Sequence, residues 1–97
     1  MATIQIVRFR LNDGVNAQDF RALNERFQRE AAPKLPGLVR REGSVNAEGE
    51  WLLVLRYTDL ASAQQANKTD IGELAQLFMS QINMSTMSAG FYEITSE

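Results

Sequence analysis

Ninety-seven residues, 44% hydrophobic and 23% charged with a net charge of -2, suit one ordinary globular domain and exclude a disordered or low-complexity chain. There is no cysteine and no histidine, which removes disulfides, thiolate nucleophiles, zinc–cysteine sites, histidine-based triads, proximal haem ligation and histidine–carboxylate iron sites. The opening Met1-Ala2-Thr3-Ile4-Gln5 lacks the basic start and apolar core of a secretion signal, and no apolar run is long enough for a bilayer, so a cytoplasmic protein with no membrane partner is expected.

Thr3 to Leu11 alternates as a strand does, with Val7, Phe9 and Leu11 on one face and Ile4, Ile6, Arg8 and Arg10 on the other. Asn12-Asp13-Gly14 turns the chain, and Asn16 is placed to cap a helix running from about Ala17 to Ala32, with Asp19 adding negative charge near its positive end. Phe20, Leu23, Phe27 and Ala31 form its apolar stripe, and Pro33 with Pro36-Gly37 ends it. The first 41 residues hold eight of the ten Lys/Arg and four of the twelve Asp/Glu. That basic half does not imply a nucleic-acid partner, because Arg21 with Glu25, Glu25 with Arg29 and Arg26 with Glu30 are spaced to pair along the helix.

Leu38 to Val45 reads as a second, more polar strand suited to a sheet edge. The short connection Asn46 to Glu50 leads by hairpin into Trp51 to Tyr57, the longest apolar run in the chain. Trp51, Leu53, Leu55 and Tyr57 share one face of that strand, and Leu52 and Val54 take the other, so both faces need cover. A second helical region follows in two pieces. Ser62 with Gln65 is spaced as a capping box for the first, to about Ala66, and Asp70 with Glu73 offers a second start just before Ile71. Asn67-Lys68-Thr69 is the expected break. The second piece carries Leu74, Leu77, Phe78, Met79 and Ile82, the chain crosses Asn83 to Ser88, and a last strand is expected from about Ala89 to Thr95.

The order strand, helix, strand, strand, helix, strand predicts an α+β fold: a ferredoxin-like βαββαβ domain over residues 1–97, with a four-stranded antiparallel sheet, strands one and three central, and both helices on one face. The other face would display either Leu52 and Val54 or the Trp51 set, together with part of strand one, an apolar patch that predicts a homodimer with two sheets face to face.

Leu35-Pro36-Gly37 after the first helix, and Trp51-Leu52-Leu53-Val54-Leu55-Arg56-Tyr57-Thr58-Asp59 leading into Leu60-Ala61-Ser62-Ala63, resemble the dimeric α/β barrel proteins typified by antibiotic biosynthesis monooxygenase-like domains. The resemblance, over nearly the whole chain, implies a pocket in each protomer between sheet and helices. Members of the family act there on polycyclic aromatic substrates with oxygen and no cofactor, or cleave haem. Haem-degrading members use an asparagine, a tryptophan and a histidine, and without histidine that set is incomplete here.

For a cofactor-free oxygenase on a small aromatic or quinol-type metabolite, the candidate catalytic residues are Tyr57, to hold a phenolate or enolate oxygen, Arg8, to neutralise an anionic intermediate, and Asn67, as a polar anchor in the helical break. Candidates for binding the substrate are Trp51, for stacking, with Arg10, Phe78, Met79 and Phe91. Each has a plainer alternative: core packing for the aromatic residues and methionines, chain turning for Asn67, and pairing with Glu42, Glu93 or a partner subunit for the arginines. The competing function is a non-catalytic dimer that binds a small hydrophobic metabolite or serves as a stress or accessory protein.

Overall fold

A computed structural model describes residues 1–97, as two layers. The four antiparallel strands are β1 (Thr3–Leu11), β2 (Leu38–Val45), β3 (Trp51–Tyr57) and β4 (Ile82–Glu93), in the spatial order β2-β3-β1-β4. The helices are α1 (Ala17–Glu30), α2 (Leu60–Ala66) and α3 (Glu73–Ser80), with a 3-10 turn at Ala32–Lys34. This is the ferredoxin-like α+β architecture anticipated from the order of elements, with β1 and β3 central.

Alternation on the central strands sets which face is covered. In the β1–β3 ladder Val7 lies opposite Leu53 and Phe9 opposite Trp51, so the apolar sets of both strands point the same way. Above them Phe20 and Phe27 of α1 and Phe78 of α3 complete the core. Phe20 meets Trp51 edge-on at 4.9 Å between centroids and lies 5.0 Å from Phe78. The face carrying Ile4, Ile6, Leu52 and Val54 has no helix over it, and all four stay partly exposed.

The Asn16 cap forms as expected, its carbonyl oxygen accepting from the backbone N–H groups of Gln18 at 2.9 Å and Asp19 at 3.0 Å. Of the three anticipated charge pairs along α1, Arg26–Glu30 closes at 3.1 Å, and the two pairs sharing Glu25 do not close within 4 Å.

The second helical region departs from expectation in three places. Its first cap is Asp59 rather than Ser62: the Asp59 carboxylate accepts from the Ser62 backbone N–H at 2.7 Å, which holds its carboxyl below the usual range. The helix therefore starts directly after β3. Its start also packs on the preceding loop, because Gly37 has φ 75° and a Cβ there would lie 2.5 Å from Ser62 Cβ. The break at Asn67–Thr69 is present, but Asp70 bonds the Gly72 N–H at 2.9 Å instead of opening the next helix. Gly72 has φ 99° and α3 begins only at Glu73, leaving Ile71 in the connecting turn.

The third departure lies just beyond α3: β4 begins at Ile82 rather than Ala89. Ile82 pairs with Leu11 and is buried in the sheet instead of extending a helical stripe, while Leu77 and Met79 of α3 keep 46% and 42% of their surface exposed. A register shift opposite Arg8–Arg10 interrupts the ladder, and Thr86 Oγ1 accepts the Arg10 backbone N–H there at 2.9 Å. A polar bulge of this kind breaks alternation, which is why Asn83 to Ser88 reads as a crossing in the sequence.

Candidate functional site

Between the covered sheet face and the helices lies a cavity of about 430 Å³. Its floor is built by alternate residues of all four strands: Gln5, Val7 and Phe9 from β1, Leu53, Leu55 and Tyr57 from β3, Arg41 from β2, and Ile82, Met87 and Ala89 from β4. Its walls include Phe27, Leu35, Phe78, Met79 and the α2–α3 connection with Asn67, Thr69 and Ile71. The lining is largely apolar and contains no carboxylate. An apolar hollow with a few convergent polar groups is the usual construction of a small-molecule site.

Tyr57 is 1% exposed as a residue and lines the cavity. Every fully buried side-chain nitrogen or oxygen in the chain has a hydrogen-bond partner, and the Tyr57 hydroxyl has none within the protein. The hydroxyl is therefore not fully enclosed, and Tyr57 borders the cavity. Burial raises its pKa above the ordinary value, and the nearby Arg41 guanidinium acts in the opposite direction, so it is a neutral donor near neutral pH. Asn67 caps the C-terminal end of α2 and lines the same space, and its side-chain oxygen accepts from Gln5 Nε2 at 3.4 Å.

Arg41 is the residue that sequence reading missed. The register puts it opposite Leu55, on the covered face, and it is 5% exposed. Its Nη1 donates to Gln28 Oε1 at 2.7 Å and its Nη2 to Asn24 Oδ1 at 2.9 Å, while Gln28 Nε2 donates back to the Arg41 carbonyl at 3.0 Å. Asn24 and Gln28 lie four residues apart on α1, hence on one face. Gly43 leaves room for the amide, since a Cβ there would stand 2.9 Å from Asn24 Nδ2. The guanidinium also lies over the Phe27 ring, 4.7 Å from its centroid. Desolvation lowers its pKa to about 10, with Tyr57 opposing, so it is cationic at neutral pH. Period-two alternation from Gly43 and Val45 was the available signal, obscured by Arg40 and Glu42, which belong to the open face.

The remaining candidates separate. Phe78 and Met79 line the cavity, as does Met87. Trp51 is buried against Phe20 and Phe9 and lies outside the lining. Phe91 borders a different, shallow recess with Met1 and Leu60. Arg8 and Arg10 are exposed on the opposite side of the sheet and do not reach the cavity. Arg10 Nη1 instead bonds the Glu48 carbonyl at 2.7 Å, and Glu42 pairs with Arg40 at 3.1 Å.

By sequence, neither a protein-family model nor a curated protein matches the chain. Solved structures do match it by fold. SnoaB, a cofactor-independent oxygenase from Streptomyces nogalater, is similar at 15% identity and a TM-score of 0.76, over 99% of this chain and 95% of that one. A protein from Caulobacter crescentus CB15, provisionally named an antibiotic biosynthesis monooxygenase, is similar at 9% identity and a TM-score of 0.76, over 98% and 91%. A dimeric protein of unknown function with a ferredoxin-like fold, from Bacteroides fragilis NCTC 9343, is similar at 15% identity and a TM-score of 0.71, over 96% of both chains. The likeness is one of fold, and the chain's ferredoxin-like architecture agrees with it. Function rests on the site itself.

Proposed function

We propose that this protein is a homodimeric, cofactor-independent monooxygenase acting on a small aromatic or quinol-type metabolite in the cavity between sheet and helices. The observation that carries this reading is the largely apolar cavity of about 430 Å³ with Tyr57, whose hydroxyl has no partner within the protein, on its floor. The fold likeness to a cofactor-independent oxygenase agrees with it.

The reaction requires a substrate acidic enough at carbon or oxygen to form a delocalised anion. That anion passes one electron to dioxygen, the substrate radical and superoxide combine as a peroxide, and protonation gives a hydroperoxide. Loss of water then converts a ring CH₂ to a carbonyl, so one CH₂ and one O₂ yield one C=O and one H₂O. The protein orients the ring between Phe78 and the sheet and excludes bulk water, and Tyr57 donates a hydrogen bond to the anionic oxygen. Asn67, bonded to Gln5, anchors a second polar group. With no carboxylate in the lining, the released proton passes to solvent at the cavity mouth.

The dimer in this reading forms through the open sheet face, where Ile4, Ile6, Leu52 and Val54 stand together without cover. The test of the chemistry is oxygen uptake with dihydroxyanthracene-type or quinol substrates, without added flavin or metal. Tyr57→Phe is expected to lower kcat by roughly 10²-fold, the scale of one lost oxyanion donor, in a variant that stays folded. The absence of uptake across a broad substrate panel would refute the enzymatic reading. The carboxylate-free lining also supports a second reading, a non-catalytic carrier of a small hydrophobic metabolite, which a ligand-dependent rise in Tm without turnover would establish.

A further inference from the structure

The Arg41 guanidinium is paired with no acid. No carboxylate lies within 4 Å of it, its two side-chain partners, Asn24 and Gln28, are neutral amides, and ring faces flank it. Removing a cation from water without an opposite charge is among the costliest things a fold does. A purely structural role at the same place needs no charge: a glutamine or methionine would reach Asn24 and Gln28 or fill the gap between the rings. The amides orient the guanidinium without neutralising it. They occupy two of its five N–H donors, leaving three without a protein acceptor. The same residue lines the cavity with Tyr57, and no acidic residue does. The cavity lining thus holds one cationic side chain, one neutral phenol, the neutral polar groups of Gln5, Asn67 and Thr69, and an otherwise apolar remainder.

We propose that Arg41 is the specificity-determining residue of the cavity and selects aromatic monoanions, such as phenolates, enolates and carboxylates on a fused ring, over neutral molecules of the same shape. This rests on the cavity being the ligand site and names the charge state of what enters it. A monoanion placed there supplies the missing counter-charge, takes the planar donors of the guanidinium, and accepts a further hydrogen bond from Tyr57. A dianion would leave one charge unmatched in an apolar enclosure.

The probes are 2-hydroxy-1,4-naphthoquinone, which is anionic at pH 7, and its neutral 2-methyl ether, titrated into the intact protein by calorimetry. The anion is expected to bind at least about tenfold more tightly, the scale of one charge-assisted hydrogen bond in excess of a neutral one. Its visible band is expected to show the bound hydroxyl ionising at lower pH than the free one. Arg41→Gln should abolish the preference while leaving ether binding in place, and Arg41→Lys, which keeps the charge but not the planar fork, should keep part of it. Equal affinities for the two probes, failure of both to bind, an unmoved ionisation of the bound hydroxyl, or a preference that survives in Arg41→Gln would each overturn the proposal. Should Arg41→Gln fail to fold, the two-probe comparison and the spectral shift decide on the unaltered protein alone. Charge preference without oxygen uptake removes the oxygenase reading and leaves this one; oxygen uptake without charge preference does the reverse.

Discussion

Along β3, Trp51, Leu53, Leu55 and Tyr57 are 1–7% exposed, whereas Leu52, Val54 and Arg56 between them remain partly open. The same contrast holds on β1, where Val7 and Phe9 are buried and Arg8 and Arg10 are exposed. One sheet therefore has a face finished within the chain, with aromatic packing and a cavity, and a face whose apolar patch no helix covers. The comparison separates two uses of apolar surface: on the covered side it stabilises the fold and shapes a site, and on the open side it is available for association.

The largest effect should come from cutting into the covered face. Phe20→Ala removes a ring in edge and tilted contact with Trp51 and Phe78 and is expected to cost about 3–5 kcal/mol in urea unfolding. A loss within about 0.5 kcal/mol, the scale of a surface change, would show that Phe20 does not close this core. On the open face, Leu52→Asp combined with Val54→Asp should leave the protomer folded and weaken self-association by at least ~100-fold in sedimentation equilibrium, as expected for charges at the centre of an apolar interface. A dimer of unaltered affinity would mean that association uses another surface.

The smallest effect sharpens the difference between the arginines of the two faces. In the unfolded chain Tyr57 releases its proton at its ordinary pKa, and in the fold it does so at higher pH. The folded state therefore binds more protons above pH 10, and this group's contribution to stability falls as pH rises from there through the folded pKa. Arg41, lowered to about 10, acts in the opposite sense, since there the unfolded state holds more protons. Tyr57→Phe should accordingly lose less stability than the unaltered protein on going above pH 10. Because the Arg41 guanidinium lowers the Tyr57 pKa, Arg41→Gln should move its phenolate absorbance to still higher pH. Arg8→Gln, across the sheet, should leave that titration unmoved. A shift with Arg8→Gln equal to that with Arg41→Gln would break the assignment of the two faces.

Much was legible from local pattern alone. Period-two alternation placed β1, β2 and β3 over the residues they occupy, and Asn16 capped α1 as its side chain and position required. Of the candidates named from the sequence, Tyr57, Asn67, Phe78 and Met79 line the cavity. β4 is longer than alternation indicates because its bulge forms a polar turn, closed locally by Thr86 on the Asn83 carbonyl and joined to the sheet by the Arg10 N–H, a contact that exists only once β1 lies alongside. The α2 and α3 starts moved because Asp59 and Asp70 bind backbone N–H groups in ways that several nearby Ser, Thr and Asp residues were equally able to supply.

The sequence by itself determined the order of elements, the absence of thiol and imidazole chemistry, and the two-faced character of the central strands, because composition and side-chain alternation are properties of each segment alone. Only the tertiary structure decided that the Trp51–Tyr57 set faces the helices, that Arg8 and Arg10 lie across the sheet from the cavity, and that Arg41 is buried at its floor. Alternation says which residues share a face and never which face is covered. That is set by the pairing of β2 with β3 and the docking of α1, which brings Gln28 and Asn24 to Arg41, 13 and 17 positions further along the chain.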